Sequence, residues 1–133
     1  MWQWDKFIKV AKQLTEDAGG KHPGDAGFDP ENVERWGVNW PTWWIPLHAA
    51  VQTNGANWVD PVSQEIVLDD PKAMEAIQAI ADLALVESVM PTSQAMEALG
   101  MGGAQLLETK KLALQVDGSW ALSWLWDIDG TLG

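Results

Sequence analysis

The chain has 133 residues with 8 Lys or Arg against 19 Asp or Glu, a net charge of −11, and no cysteine. That length suits one domain over 1–133 that buries roughly two-thirds of its unfolded surface, while the acidity argues against sequence-blind nucleic-acid binding and against anionic membranes. Without cysteine there are no disulfides, thiol nucleophiles or Cys-based zinc sites, and no apolar run approaches the roughly 18 residues that span a bilayer.

In chain order, Trp4, Phe7, Ile8, Ala11 and Leu14 recur at helical spacing opposite Lys6, Lys9 and Lys12, which predicts an amphipathic helix over about 3–16. This start is a Trp-bearing helix, not a basic segment followed by a leader core, so no signal peptide is read in the chain. From Asp17 to Asn32 the run DAGGKHPGDAGFDPEN is dense in Gly, Pro and Asp and reads as a long loop. A short extended stretch, Trp36–Asn39, leads through Pro41-Thr42 into a helix over Trp43–Thr53 that stops at Asn54-Gly55. Residues 57–68 read as a minor hairpin around Asp60-Pro61, with Glu65–Leu68 as its second arm.

The clearest helix follows. Asp69 or Asp70 can cap it, Pro71 suits its first turn, and Ala73, Ile77, Ile80, Ala81, Ala84 and Leu85 form its apolar stripe to about Ser88. Thr92 or Ser93 starts a short helix over 94–99, Gly100–Gly103 breaks it, and 104–109 makes another, ending in Lys110-Lys111. Leu112–Val116 is a buried-strand candidate, and Asp117-Gly118 turns the chain into a last helix, Trp120–Trp126, with Ser119 as its cap.

Ten tryptophans and no tyrosine are the strongest chemical signal, because Trp40, Trp43 and Trp44 fall together, as do Trp120, Trp124 and Trp126. A flat indole face suits the apolar face of a sugar ring while its N–H stays free to donate. Two clusters far apart in sequence make two walls of one pocket; the competing reading is indoles filling a core. Trp44, beside Ile45 and Leu47, fits core as well as pocket, and Trp2, Trp4, Trp124 and Trp126 read as packing. His22 and His48 lack a third ligand at a recognisable zinc spacing. Asp17, Asp25 and Asp29 lack the calcium-loop spacing and read as solvated turn residues. No nucleophile elbow, phosphate loop or dinucleotide glycine pattern occurs, and nothing singles out a pair among the acidic residues for glycoside hydrolysis, so no enzyme and no cofactor is expected.

Several segments resemble a known family. Trp4-Asp5-Lys6-Phe7 with Ala11–Thr15, Asp25–Asn32 with Trp36-Gly37, Asn54-Gly55, Leu68–Ala73 with Ala79–Leu83, and Leu106–Val116 with Gly118–Trp120 are similar, in the family's order, to segments of the extracellular solute-binding proteins of sugar ABC transporters, the maltose-binding-protein class. The match departs from the family where Leu106 or Leu107 replaces a Phe and Thr109 or Lys110 a Gly, and in length, since members are longer and two-lobed. The resemblance therefore implies a fragment covering the central part of the second lobe. The fold it implies is α+β and predominantly helical, with five or six helices around a small incomplete sheet of a type II periplasmic-binding-protein-like lobe.

By the same resemblance the function is carbohydrate binding at one wall of an inter-lobe site. Trp40, Trp43 and Trp120 would stack, Asn39, Asp117 and Ser119 would bond hydroxyls, and Thr42 and Gly118 would lie in the two turns. The partners implied are a sugar or oligosaccharide and, in the full-length parent, ABC permease subunits; the location implied is extracytoplasmic, at the periplasm or cell surface and lipid- or membrane-associated in that parent. A lone wall should bind weakly or not at all. A protein-interaction or structural domain with Trp in its core and no ligand is the alternative reading, ahead of a glycoside-acting enzyme. An unpaired strand at Leu112–Val116 would further lead the chain to self-associate.

Overall fold

The computed structural model describes residues 3–125, so the expectations for Trp2, for Trp126 and for the chain's last residues fall outside the described residues, as does the side chain of Trp124. Helix α1 (Trp4–Leu14) forms where its apolar spacing predicts. Thr15, fully buried, ends it and joins it to the sheet: its hydroxyl donates to the Ala11 carbonyl at 2.9 Å and accepts the Gly37 N–H at 2.9 Å. At Gly37 the helix lies directly on the strand backbone, since an added Cβ would stand 2.0 Å from the Ala11 oxygen.

Strands β1 (Glu16–Asp17) and β2 (Val33–Asn39) pair antiparallel, so the predicted loop begins one residue into a strand. The remainder of that loop is held by Asp17, only 3% exposed. Its carboxylate accepts the N–H groups of Gly19 (2.8 Å), Lys21 (2.9 Å) and Asp29 (2.9 Å). Bonds from the Lys21 and Asp29 amides hold the Asp17 carboxyl below the ordinary aspartate value against the opposing effect of burial, with Gly19 and the Lys21 charge adding to the lowering. Asp17 is thus a buried organiser and not the solvated turn residue expected.

After β2 come α2 (Trp44–Thr53), α3 (Pro71–Leu85), α4 (Ser93–Leu99) and α5 (Gly103–Glu108). Then β3 (Leu112–Gln115) pairs parallel with β2, followed by a 3-10 turn (Ser119–Ala121) and one turn of helix, α6 (Leu122–Leu125). The sheet has the order β1-β2-β3 and is mixed. This corrects the expected α+β partial lobe with a small incomplete sheet. The fold is a small α/β unit, because two parallel strands cannot be joined by a tight turn and the whole run from α2 to α5 serves as the crossover between β2 and β3.

Local signals explain most element ends. Asp70 accepts the Lys72 N–H at 2.8 Å with Pro71 in the first turn of α3, and Thr92 accepts the Ala95 N–H at 3.1 Å to start α4. Gly55 (φ 81°) and Gly100 (φ 62°) supply the left-handed residues that close α2 and α4. The hairpin over 57–68 reduces to one bridge, Val59 with Ile66, its turn held by Asp60 accepting Val62 and Ser63 amides, which lower that carboxyl too.

Helix α3 departs from expectation in two ways. It ends at Leu85, not Ser88, because Ser88 takes φ 54° and the Val89 and Met90 amides fold back onto the Leu83 carbonyl. Its buried line is Ala73, Ala76, Ile80 and Leu83, and Leu85 is 73% exposed. The main core joins Ile80 and Leu83 to Ala11, Val38, Ala50, Val89 and Met90, while Val51, Ala56, Ala73 and Ala76 with Trp58 and Ile77 form a smaller cluster between α2 and α3. Small side chains there let the two helices approach closely.

Candidate indole ledge at the carboxyl ends of two parallel strands

Because β2 and β3 run parallel, their last residues, Asn39 and Gln115, are partners in the sheet and the segments that follow leave from the same edge. In α/β sheets that edge opens into a crevice suited to ligands. One exit is Trp40–Trp43, leading to α2; the other is Val116–Gly118, leading to the 3-10 turn.

The exits bring Trp43 of the first Trp cluster against Trp120 of the second. The ring centroids of Trp43 and Trp120 stand 5.4 Å apart at 54°, and Trp44 meets Trp43 edge-on at 6.2 Å. Trp43 is 42% exposed, Trp44 62% and Trp120 44%, so three indoles form an open ledge. None of their ring nitrogens has a hydrogen bond among the described residues. No side chain caps the N-terminus of α2 or of the 3-10 turn, and such uncapped ends leave backbone N–H groups for an external acceptor.

Gly118 positions Trp120. An added Cβ would fall 2.2 Å from the Trp120 ring, so the indole lies flat on the space a side chain would occupy, and Trp43 bounds it elsewhere. Gly118 therefore makes room for the aromatic ring. A polar string runs along the strand ends: Asn39 Nδ2 donates to Gln115 Oε1 at 2.9 Å, Gln115 Nε2 donates to Asp117 Oδ2 at 3.3 Å, and the Gly118 N–H donates to Asp117 Oδ1 at 2.9 Å. Gln115 went unremarked in the sequence, although it is the one polar residue in Leu112–Val116. The missing Cβ of Gly103 makes its room, for a side chain there would stand 2.4 Å from Gln115 Oε1.

The other expected site residues separate. Thr42 and Ser119 are exposed beside the ledge. Ser119 does not cap the turn that begins there; Gly118 holds the N-cap position with no side-chain bond, since the chain enters a 3-10 turn and not a regular helix. Trp40 turns inward. It packs edge-on against Trp4 at 6.0 Å and Phe7 at 6.1 Å, its indole N–H donates to the Pro46 carbonyl at 3.3 Å, and its backbone N–H points at Met90 Sδ at 3.2 Å.

Two grooves flank this region. One, of about 670 Å³, begins at Asn39 and Thr42 beside the ledge and continues between Met90, Met96 and Met101. The other, about 490 Å³, lies between α1, α2 and α3, where the indole of Trp40 and the ring of Phe7 are engaged with each other. Among the described residues no three His, Asp or Glu side chains converge as a metal site. His22 Nδ1 is 2.6 Å from the Thr15 carbonyl, His48 sits edge-on to Trp58, and the Asp25 and Asp29 carboxylates accept nearby amide groups. No described helix is long and apolar enough to cross a membrane.

No family model and no curated protein matches the chain. Among solved structures it is similar to M. tuberculosis UspC, with a TM-score of 0.73 and 24% identity, covering 87% of this chain and 29% of that one. The chain thus spans under a third of the length of UspC. An identity this low shows the fold alone, and the finding overturns the assignment to the maltose-binding-protein class and to the central part of its second lobe: short motif matches in order do not amount to a family match, and the structural likeness is to a portion of UspC.

Proposed function

We propose that the indole ledge of Trp43, Trp44 and Trp120 is a carbohydrate-binding surface. The observation that carries this reading is the 5.4 Å approach of two half-exposed indoles far apart in sequence, at the carboxyl ends of parallel strands and beside a polar string of Asn39, Gln115 and Asp117. Indole faces stack on the C–H faces of pyranose rings. The amide and carboxylate groups alongside, with the uncapped amides of α2, bond ring hydroxyls in either direction. Thr42 and Ser119 stand at the rim.

Among the described residues the surface is open on one side, so binding is weak, and a ligand long enough to cover both Trp43 and Trp120 is favoured over a monosaccharide. The reading is one of binding without turnover: among the described residues the carboxylate beside the ledge, Asp117, is engaged with Gly118 and Gln115.

Titration of intrinsic fluorescence with mono- and oligosaccharides tests it. The expected result is a saturable change that strengthens with chain length and is lost in Trp43→Ala and Trp120→Ala; a response equal in those variants and in the parent chain sinks the reading. Reducing ends released from an oligosaccharide during the same incubation would replace binding by hydrolysis.

A further inference from the structure

Two sites among the described residues place a Gly directly after an Asn or Asp, Asn54-Gly55 and Asp117-Gly118; Asp129-Gly130 lies outside the described residues. A glycine leaves its backbone nitrogen unshielded, so the nitrogen can reach the side-chain carbonyl carbon of the residue before it and close a five-membered imide. In an unfolded chain near neutrality the Asn pair reacts first, because a carboxamide is a better electrophile than a carboxylate. The folded chain holds the two pairs differently. Asn54 Nδ2 donates to the Lys72 carbonyl at 2.8 Å and to Glu75 Oε2 at 3.0 Å, while the Gly55 N–H donates to the Gln52 carbonyl at 3.0 Å. Leaving group and nucleophile are each engaged elsewhere. Asp117 is exposed, and its Oδ1 lies 2.9 Å from the Gly118 nitrogen, whose N–H has no other partner among the described residues. Its Oδ2 accepts a bond from Gln115 Nε2 at 3.3 Å, and Asn39 in turn holds Gln115. Carboxyl and attacking nitrogen are thus held together before reaction.

We propose that Asp117 is a self-modification site, which converts to isoaspartate in the folded chain while Asn54 is protected. The Gly118 nitrogen bonds to Asp117 Cγ and a Cγ–O bond breaks; that oxygen leaves as water with the amide proton and one proton from solvent. Water then adds to either carbonyl of the imide. Addition at the former main-chain carbonyl routes the chain through Cβ and Cγ, inserts one carbon before Gly118 and leaves a free α-carboxylate. Addition at the other carbonyl restores aspartate. The insertion falls between β3 and the glycine on which the Trp120 ring rests, so it shifts Trp120 relative to Trp43 and takes the carboxylate away from Gln115. On the carbohydrate reading above, conversion therefore switches the ledge off; the conversion itself does not depend on that reading.

The test ages the whole chain in warm neutral buffer, folded and in guanidinium chloride, and locates isoaspartate by electron-transfer fragmentation, which separates Asp117 from Asp129. In the folded chain the expected result is isoaspartate at Asp117, formed several-fold faster than in denaturant and through a species one water lighter, with Asn54 still an amide. In denaturant the order reverses and Asn54 converts first. Asp117 converting no faster folded than unfolded overturns the proposal, as does Asn54 converting in the folded chain at its rate in denaturant. The purified isoaspartyl chain and the fresh chain are then titrated with the same oligosaccharides. A fluorescence response lost on conversion supports the switch, and equal responses overturn it. A fresh chain that answers no sugar sinks the carbohydrate reading alone, since the fragmentation result is read without any ligand.

Discussion

Trp40 and Trp43 are three residues apart on the same exit from β2, yet one is locked against Trp4, Phe7 and Pro46 and the other stands open against Trp120. Gly37 and Gly118 repeat the contrast. At Gly37 the missing side chain admits the backbone of a packed helix; at Gly118 it admits an exposed indole. The inner seam holds α1 on the sheet, whereas the ledge arranges aromatic surface that the described residues leave half-exposed. Residue type therefore does not distinguish the inner from the outer tryptophan here. What distinguishes them is whether neighbours satisfy the ring's face and its N–H.

The largest expected effect falls on the inner seam. Gly37→Ala places a methyl against the Ala11 carbonyl, which belongs to a helix backbone and cannot rotate away, so the loss of stability is about 2–4 kcal/mol by chemical denaturation, without a change in denaturant slope. A loss under about 0.5 kcal/mol would mean that α1 is not seated on Gly37.

Trp40→Ala comes next, costing about 2–3 kcal/mol because a half-buried indole and its bond to Pro46 are removed together. Trp43→Ala should cost under about 1 kcal/mol in stability yet weaken oligosaccharide binding roughly ten-fold. Equal stability losses in the two variants would erase the distinction between the inner and the outer indole. Gly118→Ala sharpens it from the other side: a Cβ there displaces the Trp120 ring, so fluorescence and sugar response change while the melting temperature drops by only a few degrees, as measured by a thermal scan.

The smallest effect is a pH dependence. Because amide bonds lower the folded-state value of Asp17, its stabilising contribution is complete above the ordinary aspartate range and is lost as pH falls through that range and then through the lower folded value. Asp17→Asn offers one acceptor oxygen where the carboxylate serves three amides, so the variant is less stable near neutrality and its stability varies less on acidification. Denaturation curves of both chains at neutral and acid pH that differ by a constant amount would count against a titrating role for Asp17.

Helix positions and many of their ends were readable residue by residue. Asp70 and Thr92 cap, Pro71 opens α3, and Gly55 and Gly100 close α2 and α4, because each acts within a few residues of its own backbone. The buried line of α3 was only half readable: Ala73 and Ile80 face inward as expected, but Leu83 replaces Leu85, since the crossing with α2 and the sheet, and not the helix alone, decides which flank is covered. The role of Asp17 was missed because its partners Lys21 and Asp29 meet it only after the loop has closed. In the site, both Trp-bearing turns were visible in advance, whereas Gln115 and the inward turn of Trp40 were not.

The sequence by itself determined the acidity, the cysteine-free chemistry, the order of the helices and of the two longer strands and the two indole clusters, all of which follow from composition or from interactions a few residues long. Only the tertiary structure decided that β2 and β3 run parallel, which joins helices and strands into an α/β unit and brings residues 43 and 120 to one edge. The physical reason is that strand pairing fixes direction and register between segments some 70 residues apart, and no local propensity encodes which carboxyl ends will lie side by side.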